Sequence, residues 1–212
     1  RFQSLVDAFG DPEAAWSAPA SAWREAGLPQ STVDAFVDLR ASLDFDSVMQ
    51  QLQKHTVRAL TWEDEDYPVR LKEIDHSPPV LYMRGRLLPE DAWAVAVVGT
   101  RRLTAYGRQV AEELGAFLAH QGITVVSGLA RGVDSAAHRA ALNAGGRSLA
   151  VLAHGLDRVY PAENRKLAEE MTERGALISD YGIGVPPDSV NFPPRNRIIS
   201  GLSLATVVVE AG

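Results

Sequence analysis

Apolar runs and helical segments alternate through the second half of the chain. The runs AVAVVGT (94–100) and ITVVSG (123–128) predict strands that are covered on both faces. Between them, YGRQVAEELGAFLAHQG (106–122) has apolar residues at helical spacing and ends at a glycine. The same alternation continues to residue 212. It predicts an α/β fold with a Rossmann-like, doubly wound and mostly parallel sheet and right-handed crossovers.

The first 43 residues have a different pattern, with short helical segments that stop at glycines. Asp11 followed by Pro12 is typical of a helix start, and Gly27 is typical of a helix end. We therefore expect residues 1–43 to form a small all-helical domain. Its closest types would be the sterile-alpha-motif (SAM) and helix-hairpin-helix domains.

Residues 44–93 link the two patterns. They contain one helical segment and two short apolar runs, and we expect them to form a connecting extension of the Rossmann-like domain. The core of that domain would cover residues 94–212. Because the last strand is not followed by a return helix, we expect the fold to continue beyond Gly212.

Composition narrows the possible functions. The chain has 46% hydrophobic and 23% charged residues, as is typical of a globular protein, and it has no cysteine. Disulfides and thiolate metal sites are therefore excluded, and we expect a cytoplasmic protein without a membrane span. The histidines show no metal-ligand spacing, so we expect no metal and no cofactor. The net charge of −6 argues against indiscriminate nucleic-acid binding, although arginines concentrate in 101–108 and 195–197.

The loops after the predicted strands contain the residues with binding chemistry. In an open parallel sheet, ligands bind at the carboxyl ends of the strands. Glycines there let backbone amides approach an anion, arginines bind phosphate through two nitrogens, and an aromatic ring can stack on a base. The candidate binding residues are Gly99, Thr100, Arg101, Arg102, Ser127, Gly128, Arg131, Gly132, Asp134, Asn164, Phe192, Arg195, Asn196 and Arg197.

One of these loops predicts an anion site by its local pattern. In ITVVSGLARGVDSAAHRAAL (123–142), a strand is followed by two glycines and then by a helix start. Such an arrangement gathers backbone N–H groups around an anion. Neither the nucleoside-triphosphate P-loop nor the G-x-G-x-x-G dinucleotide motif is present. The anion could therefore be a small substrate or the backbone of a nucleic acid.

The acid–base candidates are weak. Asp134 and His138 lie four residues apart on a helix start and could form a base with its orienting carboxylate. Ser135 lies in the same helical turn, which does not align a nucleophile with that pair. We expect Asp134 to cap the helix or to fix Arg131 and the glycine loop, and His138 to brace neighbouring loops. Glu210 is a single carboxylate at a strand end, and we expect it to orient a neighbour. No catalytic residue is predicted.

Five segments together resemble the DNA processing protein A family (DprA, also called Smf). They are VAVVGTRRLTAYG, VVSGLARGVDSAAHRAAL, YPAEN, NFPPRNRIISGLS and VVVEA, in this order and spacing. The Gly-Ser/Thr-Arg motif of the family corresponds to residues 99–101, its glycine loop to 127–134 and its Phe-x-x-Arg-Asn-Arg motif to 192–197.

The resemblance implies a non-catalytic, DNA-binding protein of natural transformation (competence) and DNA recombination. Family members have an extended Rossmann-like core that forms homodimers. They bind and protect incoming single-stranded DNA and help load the RecA recombinase. Carried over to this chain, the amides of 128–134 would hold a DNA phosphate. Arg101, Arg195 and Arg197 would neutralise neighbouring phosphates, and Phe192 would stack on a base.

Two departures from the family pattern and two alternative functions remain open. Members usually continue past the VVEA strand, and they tend to have a basic residue where this chain has PPDSVN with Asp188. One alternative is a nucleotide-hydrolysing, phosphoribohydrolase-like enzyme, although its P-G-G-x-G-T-x-x-E motif does not occur here. The other is a protein adaptor, which predicts that internal carboxylates neutralise the loop arginines.

Overall fold

A computed structural model describes residues 2–211, and the chain divides into two compact units, Arg1–Gln50 and Gln51–Gly212. The first unit is helical. Its helices are α1 (Phe2–Phe9), α2 (Pro12–Ser17), α3 (Ala20–Glu25), α4 (Gln30–Ser42) and the first part of α5 (Phe45–Lys54). The division of the chain at residues 43 and 93, and a domain of the SAM type, stay predictions.

Local sequence explains the short helices of the first unit. The Asp11 carboxylate accepts a hydrogen bond from the Ala14 amide at 2.8 Å and thereby caps α2. Gly27 follows α3 with a φ of 85°, a left-handed conformation that stops a helix. Trp23 is completely buried at the centre of a small apolar core, and its indole N–H donates to the Ala15 carbonyl at 2.8 Å.

The second unit contains a seven-stranded sheet. Its strands are β1 (Arg58–Thr61), β2 (Val80–Gly85), β3 (Ala94–Gly99), β4 (Thr124–Ser127), β5 (Ser148–Val151), β6 (Gly175–Ser179) and β7 (Ala205–Val209). Its remaining helices are α6 (Val69–Lys72), α7 (Ala105–His120), α8 (Val133–Asn143), α9 (Arg165–Arg174) and α10 (Phe192–Gly201). Among the described residues, no helix is both long and apolar enough to cross a membrane.

The strand order is β1-β2-β6-β5-β4-β3-β7. Strands β3 to β7 pair in parallel, whereas β1 and β2 extend the sheet beside β6 in antiparallel pairing. The parallel pairing predicted from the alternation of strands and helices is confirmed. The position of β1 and β2 was not predicted, because their short apolar runs do not specify a partner strand.

Helices cover both faces of the sheet, as predicted. Buried residues of α7 and α8, including Ala111 and Ala137, pack with Val97 and Val125 on one face. Ile198 of α10 packs with residues of β2 to β6 on the other face. The fold is therefore doubly wound, and the chain changes faces when it crosses from β6 to β7.

That change of faces places β7 directly beside β3. Such a topological switch point is where open α/β sheets form a crevice at the carboxyl ends of their strands. Gly99, the last residue of β3, lies so close to the Val209 carbonyl that a side chain would collide with it. The glycine therefore lets the two strand ends meet at the crevice.

Candidate nucleic-acid interface

The crevice is a cleft of about 690 Å³ at the carboxyl ends of β3 and β7. The loop after β3, the glycine loop after β4 and the start of α10 form its walls. The residues that line it include Gly99, Arg101, Ala130, Asp134, Phe192, Arg195, Asn196, Arg197, Ser200 and Thr206. The structure therefore brings together residues from three of the loops that the sequence analysis selected.

Arg101, Phe192 and Tyr160 form a group that we call the stacked cluster; Arg101 and Phe192 line the cleft, and Tyr160 lies beside Phe192. The guanidinium carbon of Arg101 is 5.1 Å from the ring centroid of Phe192, within the range of a cation–π contact. The ring of Tyr160 is 6.2 Å from that of Phe192, and the two planes are inclined by 36°. Phe192 is half-buried and Tyr160 is 46% exposed. An exposed guanidinium beside two accessible rings can contact both a phosphate and a base.

The chain's own carboxyl group already occupies the glycine loop. Oδ2 of Asp134 accepts hydrogen bonds from the amides of Gly128 and Ala130 at 3.0 and 3.2 Å. Burial raises the pKa of Asp134, whereas these two bonds and the nearby Arg195 oppose that shift. The same side chain lies in the first turn of α8, where a carboxylate complements the helix dipole. The prediction that the amides of 128–134 hold a DNA phosphate is therefore wrong for these two amides. The alternative expectation, that Asp134 fixes the glycine loop, is confirmed, but the expectation that it also fixes Arg131 is wrong, because Arg131 pairs with Glu163.

The glycine loop residues are fixed by close packing. Ser127 is completely buried and donates its hydroxyl to the Val97 carbonyl at 2.6 Å, so it does not face the cleft. A Cβ on Gly128 would lie 2.6 Å from a guanidinium nitrogen of Arg195. A Cβ on Gly132, which has a φ of 83°, would collide with the backbone of residues 100–101. These residues shape the cleft from beneath.

Arg195 is a structural arginine. It is only 4% exposed, and it donates to the carbonyls of Gly128, at 3.1 Å, and Val151. Burial lowers the pKa of Arg195, and the Asp134 carboxylate opposes that shift. The expectation that Arg195 neutralises a phosphate is corrected, because its nitrogens tie α10 to the ends of β4 and β5.

Two further arginines have carboxylate partners. Arg131 and Glu163 form two parallel hydrogen bonds of 2.9 and 3.0 Å, and both side chains are more than half exposed. Arg197 donates to Asp180 at 2.7 Å. The other carboxylate oxygen of Asp180 and Nη1 of Arg197 are buried and have no partner in the described part of the chain.

Arg101 and Arg102 complete the five candidate arginines. Within residues 2–211, neither of these two exposed side chains pairs with a carboxylate. The neutralisation that a protein adaptor predicts is therefore present at Arg131 and Arg197 but absent at Arg101 and Arg102.

The other candidates separate into braces and exposed groups. Asn164 is buried and donates to the Leu129 carbonyl at 2.9 Å, so it holds the glycine loop and does not face solvent. Asn196 is exposed and lines the cleft, although its Oδ1 accepts a 3.3 Å bond from Arg195. Thr100 and Arg102 line a second, shallower hollow beside Glu210.

Asp134 and His138 do not form an acid–base pair. Nδ1 of His138 contacts the Ser148 hydroxyl at 2.7 Å, and that hydroxyl donates to the Val125 carbonyl. Burial lowers the pKa of His138 to about 3, so the ring is neutral at neutral pH. His138 therefore braces strands and not loops.

Glu210 orients a neighbour, as expected. Its carboxylate accepts hydrogen bonds from the amide and the hydroxyl of Thr104, the residue that caps α7. These bonds lower the pKa of Glu210. The carboxylate is therefore committed to the start of α7.

Sequence reasoning missed several residues in or beside the cleft. Tyr160, whose ring lies beside Phe192, is not among the candidate binding residues. Ser200 follows Asn196 by four positions, so helical spacing alone indicates that they share one face of α10. Thr206 lines the cleft from β7, and only the pairing of β7 with β3 reveals its position.

A family model matches residues 58–212, and its description is DNA recombination-mediator protein A. The match covers nearly all of the second unit. The chain belongs to this family. The resemblance to DprA and Smf proteins noted in the sequence is thereby confirmed.

Individual relatives agree with that assignment. Protein Smf of Synechocystis sp. is 39% identical over 204 residues, which cover 94% of this chain and 51% of the relative. Protein Smf of Escherichia coli is 42% identical over 77% of this chain and 43% of its own length. The chain thus spans about half the length of the curated relatives it matches.

Two solved structures share the fold. The crystal structure of DprA from Streptococcus pneumoniae has a TM-score of 0.84 and 32% identity, over 99% of this chain and 72% of that protein. DprA from Helicobacter pylori, described for its single-stranded DNA binding mode, has a TM-score of 0.63 and 30% identity. That match covers 72% of this chain and 68% of the Helicobacter protein.

Proposed function

We propose that this chain binds single-stranded DNA at the cleft between β3 and α10. The observation that carries the proposal is the stacked cluster of Arg101, Phe192 and Tyr160 at that cleft. Aromatic rings stack on unpaired bases irrespective of sequence, and a neighbouring guanidinium neutralises the backbone. A base in a duplex is already stacked and cannot use these rings. The proposal therefore predicts preference for single strands with little sequence dependence.

The charge distribution supports the same function. Although the chain has a net charge of −6, the unpaired Arg101 and Arg102 lie side by side at the end of β3. Local positive charge at a cleft attracts a polyanion even when the whole molecule is acidic. The Helicobacter relative, which is described as binding single-stranded DNA, also supports this function.

Fluorescence anisotropy of a labelled oligo-dT across a salt series tests the proposal. We expect the parent chain to bind the single strand, with an affinity that falls steeply with salt, and to resist competition by duplex DNA. Arg101→Ala removes one phosphate contact and one stacking partner. It should weaken binding about tenfold. It should also reduce the salt slope, the steepness with which the logarithm of the binding constant falls with the logarithm of the salt concentration, by about 0.7, the value for one single-strand phosphate.

Arg139→Ala is the matched control for this experiment. Arg139 is an exposed arginine on α8 that does not line the cleft, and its substitution makes the same change in net charge. If Arg139→Ala weakens binding as much as Arg101→Ala, then binding depends only on total charge and the proposed site is wrong. Equal affinity of the parent chain for duplex and single strand would also contradict the proposal.

We also propose that the whole protein acts in natural transformation by delivering the strand to the RecA recombinase, and that it does so as a cytoplasmic homodimer. The family description, a recombination mediator, supports this role. The test is RecA filament formation on a strand coated with single-strand-binding protein. Added protein should shorten the lag before RecA filaments form. The Arg101→Ala variant should shorten that lag much less.

We propose that binding occurs without catalysis. Asp134 and His138, the only acid–base pair that the sequence suggested, contact different partners and not each other. Incubation with nucleoside monophosphates, followed by chromatography of the free bases, tests this proposal. Release of a free base at a rate that depends on enzyme concentration would favour the phosphoribohydrolase-like alternative.

A further inference from the structure

Arg131 and Glu163 form an exposed ion pair beside the stacked cluster. The two parallel bonds, 2.9 and 3.0 Å long, occupy the same fork of the guanidinium that would bind a phosphate. Arg131 in turn holds the pKa of Glu163 below its ordinary value, so the carboxylate is charged at neutral pH. A resident anion therefore occupies Arg131 in the free protein.

The position of this pair places it next to the proposed path of the strand. Arg131 lies between Ala130, which lines the cleft, and Gly132. A Cβ added to Gly132 would lie only 2.8 Å from the Cα of Arg101, so the glycine loop and the loop after β3 are in close contact. Glu163 lies three residues after Tyr160, and the two residues are joined by a short turn. A phosphate attached to a base at the stacked cluster would approach both charges.

The pair can open at little cost. Both side chains are more than half exposed, and exposed ion pairs contribute little to stability because water and salt screen them. Among the described residues, neither side chain makes a hydrogen bond to a third group that would hold it in place. The buried Arg195, in contrast, cannot leave its carbonyl partners without breaking the loop.

We infer that Glu163 competes with the DNA backbone for Arg131 and thereby limits the affinity of the site. This inference rests on the proposed function of the cleft. A phosphate that displaces Glu163 gains Arg131 but leaves a free carboxylate close to the strand. Binding is therefore weaker and less dependent on salt than it would be if Arg131 were free to bind a phosphate. The weaker binding allows the strand to be released to a partner.

Glu163→Gln tests the inference directly. It frees Arg131 from its charged partner while keeping the size of the side chain. We expect the affinity for oligo-dT to rise by about threefold to tenfold and the salt slope to steepen by about 0.7, as one more phosphate is neutralised. Glu173→Gln, at the other end of α9, is the matched control, because Glu173 is exposed and pairs with no arginine within residues 2–211.

A double variant separates competition from simple repulsion. When Arg131→Ala is also present, Glu163→Gln can relieve only the repulsion between the carboxylate and the strand, so its gain should be smaller and the salt slope should no longer steepen by a full phosphate. If the gain is undiminished, Glu163 only repels the strand and the inference is wrong. If the parent chain binds oligo-dT but Glu163→Gln binds it equally or more weakly, the inference about Glu163 is also wrong, while the proposed function of the cleft stands. If the parent chain does not bind oligo-dT at low salt, the proposed function fails and this inference fails with it.

The Nε–H signal of Arg131 in a nitrogen-15 NMR spectrum gives an independent readout. Binding of oligo-dT to the parent chain should move that signal away from its position in the free protein. Glu163→Gln should move it without DNA. A signal that stays in place when oligo-dT binds would show that Glu163 keeps Arg131, which contradicts the inference.

Discussion

The glycine loop after β4 and the stacked cluster at the start of α10 lie on the same cleft but differ in how their polar groups are satisfied. The loop amides of Gly128 and Ala130 bond the Asp134 carboxylate, and the Gly128 carbonyl accepts from Arg195. Arg101, in contrast, contacts the ring of Phe192 and no carboxylate among the described residues. One region is closed on itself, and the other is open to a ligand.

The comparison shows that a motif of the anion-binding type can serve as scaffold. A strand, a glycine turn and a helix start concentrate amides wherever they occur, but the chain can supply the anion itself. Substitutions in the glycine loop should therefore change stability, whereas substitutions in the stacked cluster should change affinity. The four predictions below concern either the free energy of unfolding or the free energy of DNA binding, and they run from the largest expected change to the smallest.

Asp134→Ala should have the largest effect. It removes the acceptor for two buried amides and the negative charge that acts on the buried Arg195. We expect the free energy of unfolding in urea to fall by about 3 to 4 kcal/mol. Asp134→Asn keeps an oxygen acceptor and should lose less. A loss below about 1 kcal/mol for Asp134→Ala, with tighter binding of DNA by the freed amides, would show that the loop is the ligand site.

Gly128→Ala should destabilise the protein by about 2 to 3 kcal/mol. The added Cβ would lie 2.6 Å from the Arg195 guanidinium, which would have to leave its carbonyl partners. Gly182→Ala is the matched control, since its Cβ would be 3.5 Å from the Tyr82 hydroxyl, an ordinary contact. Equal urea midpoints for the two variants would contradict the described packing of Arg195.

His138 should make stability depend on pH. Its pKa is lowered to about 3 in the folded protein by burial, whereas the unfolded chain has the ordinary value near 6.5. Between these values the unfolded state binds more protons, so stability is complete above about pH 6.5 and is lost as the pH falls towards 3.

From pH 7 to pH 5 the loss from His138 amounts to about 2 kcal/mol. Urea unfolding at both pH values measures it, and His138→Gln should lack this part of the pH dependence. Equal pH dependence of the two proteins would show that the ring is charged or exposed. Affinity for oligo-dT per folded molecule should not change with His138→Gln, because the ring is completely buried under the cleft.

Phe192→Leu should have the smallest effect of the four, and it should act on affinity. Loss of one stacking ring should weaken oligo-dT binding by about 1 kcal/mol, roughly fivefold. Leucine keeps an apolar side chain at this half-buried position, so we expect the urea midpoint to change little. Phe117→Leu, at an exposed phenylalanine of α7, is the control and should leave affinity unchanged.

The sequence predicts the fold better than it predicts which polar groups of the site are free to bind a ligand. Apolar runs such as residues 94–100 indicate buried parallel strands because that pattern depends on local spacing alone. The pairing of β2 with β6 joins residues almost a hundred positions apart, and nothing in the short run 80–85 specifies it. The predicted convergence of the loops after β3 and β4 with the start of α10 followed from parallel topology and is confirmed by the lining of the cleft.

The availability of each arginine could not be predicted in the same way. Arg131 pairs with a carboxylate 32 residues away, and Arg195 bonds a carbonyl 44 residues away. All five candidate arginines have the same chemistry in the sequence, and only their tertiary partners separate them. The role of Asp134 in the glycine loop was easier to predict from the sequence, because Asp134 lies in the first turn of α8, directly after the loop.

The most direct test of the central claim is a nitrogen-15 NMR titration of the folded chain with oligo-dT. The amides of Gly128 and Ala130 should keep their chemical shifts, because Asp134 retains them, while the Nε–H signal of Arg101 should move as the strand binds. Large shifts of the two loop amides, with an unmoved Arg101 signal, would show that a phosphate replaces the Asp134 carboxylate and would contradict this account.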